Sequence, residues 1–214
     1  MPSTLPDFML LAFTSLFTMV NPLGTIPVYT SLTGNLSSAE AKKVAYKAVI
    51  TATLTLFLFA FAGKFIFNFF AISVNSLKVV GGIIFFMAGF DMLQARLIRT
   101  KQDNETTKQF ASDIAITPLA IPIICGPGAM TVSIVLYSEA VHWEQKLVVF
   151  GTIVVIMLIT LIFLLSGRKI ISFVGENGNK VLMRIMGLIV MVIAVEFLFS
   201  GLKPILQDIF LTGK

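Results

Sequence analysis

The chain has 214 residues, 57 % hydrophobic and 13 % charged, where soluble domains have about 45–50 % and about 25 %. That balance is that of an integral membrane protein, and a net charge of +5 suits loop lysines and arginines gathered on one side of a bilayer. No Arg/Lys stripe interleaved with exposed aromatics occurs, so nucleic acid is not an expected partner. One Cys and one His exclude an intrachain disulfide and argue against a metal cluster.

A helix crosses the hydrocarbon core with about 20 apolar residues. Six such spans are expected, over 8–32, 42–66, 74–95, 113–138, 146–167 and 181–202. The first lies in a run from Phe8 to Ala39 with no Asp, Glu, Lys, Arg or His. In its middle stands Asn21-Pro22-Leu23-Gly24. Pro22 lacks an N–H and pushes Asn21 away from helical angles, while Gly24 adds backbone freedom. The helix is expected to break there, near the membrane midplane. Polar backbone at that depth survives only when buried in protein or lining a cavity.

Lys64 and Lys78 fall near span ends, where they can snorkel to the interface. The one long polar connection, over 96–112, reads as a solvated cytoplasmic loop. No Lys or Arg precedes Lys42, so a basic signal-peptide n-region is not expected. With the N-terminus outside, Lys42, Lys43, Lys47, Arg96, Arg99, Lys101, Lys108, Arg168, Lys169, Lys180 and Arg184 lie in the cytoplasm. Lys64, Lys78, Lys146, Lys203 and Lys214 lie outside, eleven against five. Basic residues concentrate on the cytoplasmic side, which favours both termini outside. If spans 1 and 4 were instead re-entrant hairpins, the count would be ten against six.

An internal repeat underlies the pattern. Lys78-Val-Val-Gly81 running to Ala88 aligns without a gap with Arg184-Ile-Met-Gly187 running to Ala194. Near the same offset Asn21-Pro22-Leu23-Gly24-Thr25 faces Gly126-Pro127-Gly128-Ala129-Met130-Thr131, and Gly63-Lys64 faces Gly167-Arg168. Three crossings is an odd number, so the second copy enters the membrane upside down. The expected fold is all-α: six transmembrane helices as two inverted three-helix repeats, 1–95 and 113–214, in one domain, with helices 1 and 4 broken. Inverted repeats with matching Gly/Pro breaks are the pattern of secondary transporters.

Each break offers free N–H groups and a positive helix end to an anion. Released carbonyls and the Asn21 side chain can receive an ammonium. Candidate substrate-binding residues are therefore Asn21, Pro22, Gly24 and Thr25 in the first break, and Gly126, Pro127, Gly128 and Thr131 in the second. No Arg or Lys lies at this depth, so a zwitterion fits better than a dianion. The bland alternative is that the glycines only let helices approach closely. Asp91 in span 3 and Glu196 in span 6 are the acids inside spans, and such groups are candidates for cation coupling or gating; the alternative is an interfacial position. Cys125 reads as a small packing residue and His142 as solvated. No GxSxG, HExxH or GxxxxGK[ST] motif occurs, so neither an enzyme nor a cofactor is expected.

Val20-Asn-Pro-Leu-Gly-Thr-Ile-Pro-Val-Tyr29, Pro118-Leu-Ala-Ile-Pro122 with Gly126-Pro-Gly-Ala129, and Arg184-Ile-Met-Gly187 leading to Glu196-Phe197 resemble the MarC family of inner-membrane proteins. That family is also called the neutral amino acid transporter or UPF0056 family. The resemblance covers nearly the whole chain. It implies six transmembrane helices with both termini outside, in the cell inner membrane. It also implies uptake of small neutral amino acids such as glycine and alanine, coupled to H+ or Na+. A LysE-like exporter, which the Gly-Pro-Gly motif resembles, and a non-transporting scaffold or regulator are the competing readings.

Overall fold

The computed structural model describes residues 4–94, 111 and 113–211, and among these no strand occurs. The polar connection over 96–112 falls almost wholly outside the described residues. Helix α1 (Leu5–Val20) and helix α2 (Pro22–Leu32) meet at Asn21. Helix α3 is Ser38–Phe69 and α4 is Val74–Leu93. An irregular π-helical segment, α5 (Ala115–Ile124), precedes α6 (Pro127–Glu139). The helical stretch Trp143–Leu211 is divided at Gly175, whose φ is 76°, into α7 (Trp143–Ile170) and α8 (Asn177–Phe210).

Among the described residues five stretches are long and apolar enough to cross a membrane, or six if the α5–α6 pair, bent by 57°, counts as one. These match the expected spans in order. Leu5–Leu32 is one 28-residue apolar stretch despite the interruption at Asn21. In the fourth span the sequence predicts a helix from 113 that breaks only at Gly126. Instead Thr117 (φ −128°) and Ile121 (φ −126°) are also non-helical. Each precedes a proline, whose Cδ crowds the preceding residue out of the helical region, and both Thr117–Pro118 and Ile121–Pro122 are cis.

Helix α3 shows how one element is fixed. Ser37 and Glu40 form a reciprocal capping box at its start, satisfying donors that the first turn leaves free. Its inward stripe is made of small residues, Ala41, Ala45, Ala48, Ala52, Ala60 and Gly63, which let neighbouring backbones come close. Its opposite face exposes Phe61, Phe65 and Phe69 at 70–74 %. A soluble protein does not leave a belt of that size uncovered, and such a belt suits contact with lipid tails.

Helices α4 and α8 pack antiparallel through small residues one heptad apart, Gly82 and Gly89 on α4 against Gly187, Ala194 and Gly201 on α8. A Cβ on Gly187 would lie 2.6 Å from the Leu93 nitrogen and 2.7 Å from the Gly89 carbonyl oxygen. Further along, one on Gly82 would lie 2.8 Å from the Ala194 carbonyl oxygen, and one on Gly201 2.6 Å from that of Asn75. Backbone meets backbone along this seam, so dispersion contacts and lipid release hold it rather than a hydrophobic effect between helices.

Candidate functional site

The first interruption is built by Asn21 itself. Its backbone is left-handed (φ 46°, ψ 65°), a conformation Asn tolerates better than most residues. Its N–H still donates to the Phe17 carbonyl, closing α1. Its Oδ1 accepts from the Gly24 N–H at 3.2 Å, capping α2. A Cβ on Gly24 would lie 2.5 Å from the Asn21 Nδ2. Glycine at 24 therefore makes room for the Asn21 cap. Thr25 is buried and its hydroxyl donates to the Pro22 carbonyl at 2.7 Å.

A small cavity of about 40 Å³ opens beside this interruption. Thr18, Met19, Val20, Asn21, Gly24 and Thr25 line one side; Phe85, Ala88 and Met92 of α4, Pro122 and Ile123 of α5, and Val190 and Ile193 of α8 line the rest. Among the described residues no charged side chain lines it. A single water needs about 10–15 Å³ by this measure, so the space holds roughly three.

The second interruption differs. Gly126 caps α6 without any side-chain hydrogen bond, so the first-turn N–H groups lack the partner that Asn21 gives α2. Gly126, Pro127 and Gly128 are all buried. The Phe85 ring lies over both glycines: a Cβ on Gly126 would overlap it, and one on Gly128 would come within 3.0 Å. Phe85 also lines the cavity, so this ring stands between the cavity and the N-terminus of α6. Thr131, 1 % exposed, has a hydroxyl with no hydrogen-bond partner, unlike its counterpart Thr25. An unpaired buried hydroxyl is costly.

Of the expected site residues, Asn21, Gly24 and Thr25 line the cavity and Pro22 lies buried beside them; Gly126 and Gly128 lie buried behind Phe85, Pro127 is buried against Gly81, and Thr131 is buried one turn further along α6. Asp91 and Glu196 both lie exposed on their helices and line none of the cavity. Among the described residues no cluster of His, Cys, Asp or Glu could hold a metal ion. Phe85, Ala88, Val190 and Ile193 carry no chemical signal in sequence; only the packing of α4 on α8 brings them to the cavity.

Long apolar helices that expose their bulky side chains and bury a small uncharged cavity define a multi-pass integral membrane protein. The chain belongs to the MarC family of integral membrane proteins, whose family model matches residues 7–206. A UPF0056 membrane protein of Pyrococcus horikoshii is 39 % identical over 95 % of this chain and 98 % of its own. One of Methanocaldococcus jannaschii is 36 % identical over 95 % and 90 %, and one of Buchnera aphidicola 35 % over 92 % and 94 %. No solved structure matches.

Proposed function

We propose that this chain is a secondary transporter of small neutral amino acids, working by alternating access around the two interruptions in the cell inner membrane, with both termini outside. The observation that carries the reading is the uncharged cavity set against the Asn21 interruption, with α5 and the N-terminus of α6 on its far side. A site without a fixed charge suits a zwitterion held by backbone dipoles. Room for roughly three waters suits an occluded state that opens to load.

Reciprocal packing supports two inverted repeats. Gly63 of α3 touches Ile134 of α6, while Gly167 of α7 touches Ile26 and Thr30 of α2. A step of 104 residues carries Gly63 to Gly167 and Thr30 to Ile134, so one contact maps onto the other with the halves exchanged. That is the relation a two-fold axis in the membrane plane produces.

Coupling to H+ or Na+ completes the reading. Asp91 and Glu196 lie away from the cavity, which favours carbonyls at the interruptions as the cation's partners. Uptake of labelled glycine or alanine by proteoliposomes under an imposed H+ or Na+ gradient tests the proposal. Accumulation that collapses with an ionophore supports it; efflux from loaded vesicles alone supports an exporter; neither supports a scaffold.

A further inference from the structure

We propose that Arg168 is the residue that holds one end of the transport path shut, by clamping the connection between α2 and α3. The inference rests on the transport reading. The half-buried guanidinium donates from one Nη2 to two carbonyls, Thr33 at 2.7 Å and Leu36 at 2.6 Å. Both acceptors lie more than 130 positions away in sequence. Thr33 is the C-cap of α2, where the last carbonyls lack helical partners and a cation is favoured.

The local packing brings the guanidinium there. At Gly167 a Cβ would already lie 3.1 Å from the Thr30 Cγ2, so α7 lies close against the last turns of α2. Tyr29 and Thr33 brace the same corner: the Tyr29 hydroxyl donates to the Ala41 carbonyl at 2.9 Å and the Thr33 hydroxyl to the Tyr29 carbonyl at 2.8 Å. Helices α2, α3 and α7 are thus tied together at one end of the molecule. The other end of α2 carries Gly24 and Thr25 into the cavity wall. An 11-residue helix is a rigid lever about 16 Å long, so releasing its C-terminus shifts that wall.

Arg168 bonds neutral carbonyls. Charge-assisted bonds of this kind are strong, yet breaking them strands no buried carboxylate, which suits a contact that opens in every cycle. Guanidinium does not lose its proton in the accessible pH range, so the clamp yields to movement of α2 rather than to titration.

The opposite end is closed by different chemistry. The 104-residue step that carries Gly63 to Gly167 carries Lys64 to Arg168. Lys64 is exposed and makes no hydrogen bond among the described residues. There Tyr137 packs against Phe61 and Phe150, with ring centroids 6.3 and 5.5 Å away, and Lys146 lies 5.4 Å from its ring. The two ends should therefore open independently.

The test places one reporter thiol in the cavity, Ala88→Cys in a Cys125→Ser background. A membrane-impermeant thiol reagent is then applied to proteoliposomes from either side. Arg168→Gln should raise labelling at least about tenfold, the shift expected from losing even one of its two charge-assisted bonds, from one side only. Tyr137→Leu should raise it from the other side. Arg168→Lys, which keeps the charge, should give a smaller rise on the first side and serves if the Gln variant fails to insert. Unchanged labelling overturns the proposal, as does an equal rise from both sides, which marks loosened packing. Labelling needs no substrate. Sided opening without any uptake would leave the clamp standing and remove the transport reading; uptake without sided opening would do the reverse.

Discussion

Gly24→Ala separates the two roles of the first interruption. The new Cβ would lie 2.5 Å from the Asn21 Nδ2 and 2.9 Å from its Cγ, so the amide must swing away from the Gly24 N–H. Losing a side-chain N-cap costs about 0.5–2 kcal/mol. Replacing a helical glycine by alanine returns about 0.5–1 kcal/mol. The net loss of stability should be no more than about 1.5 kcal/mol. Transport should respond far more strongly, because Asn21 lines a cavity of only about 40 Å³ and the displaced amide enters it. Initial uptake rates in proteoliposomes should fall at least about tenfold, equivalent to roughly 1.4 kcal/mol, while the thermal midpoint in detergent barely moves. Asn21→Gly is the complementary variant. Glycine keeps the positive φ at a cap cost of a few tenths of a kcal/mol, yet removes the amide, so it should also fold and fail to transport. Normal uptake in both variants would refute the reasoning and leave the interruption as a packing feature.

Other substitutions follow from the same geometry. Gly187→Ala should destabilise by about 1–3 kcal/mol through overpacking, since its Cβ meets backbone of α4; Gly151→Ala, with nothing within 4 Å, should be neutral or stabilising by up to about 1 kcal/mol. Thermal unfolding of the purified variants compares them directly. Thr131→Val removes the unpaired buried hydroxyl and should stabilise the apo protein by about 1 kcal/mol; if that hydroxyl serves substrate, binding weakens in the same variant. Glu196→Gln should keep gradient-driven accumulation, as befits an exposed carboxylate outside the cavity. Binding without accumulation would make it the coupling group instead.

The helices were legible because long apolar runs have few solutions in a bilayer. At Asn21 a local rule applies, since proline removes a donor and restricts its predecessor; the chain has a left-handed residue there, within one 28-residue apolar stretch. The same rule applied to Thr117-Pro118 and Ile121-Pro122 would have exposed the irregularity of α5, which the strength of its apolar pattern hid. Gly187 was visible in the repeat as the counterpart of Gly81, but the backbone-to-backbone seam it forms with Gly82, Gly89 and Gly201 depends on which helices meet. Arg168 was visible as a positive charge and as the repeat counterpart of Lys64, but not as a clamp, because its acceptors are main-chain carbonyls far along the chain and leave no motif. Nor did the sequence reveal which way Asp91 and Glu196 face, since both rotate with helices apolar nearly all round.

A structure determined with glycine or alanine bound tests the central claim most directly. The account predicts the ligand in the cavity between Asn21–Thr25 and Pro122–Ile123, with the Phe85 ring turned away from Gly126 and Gly128 so that the ligand reaches the N-terminus of α6. A ligand seated elsewhere, or a saturated complex with the cavity unchanged and Phe85 still over the glycines, would contradict it.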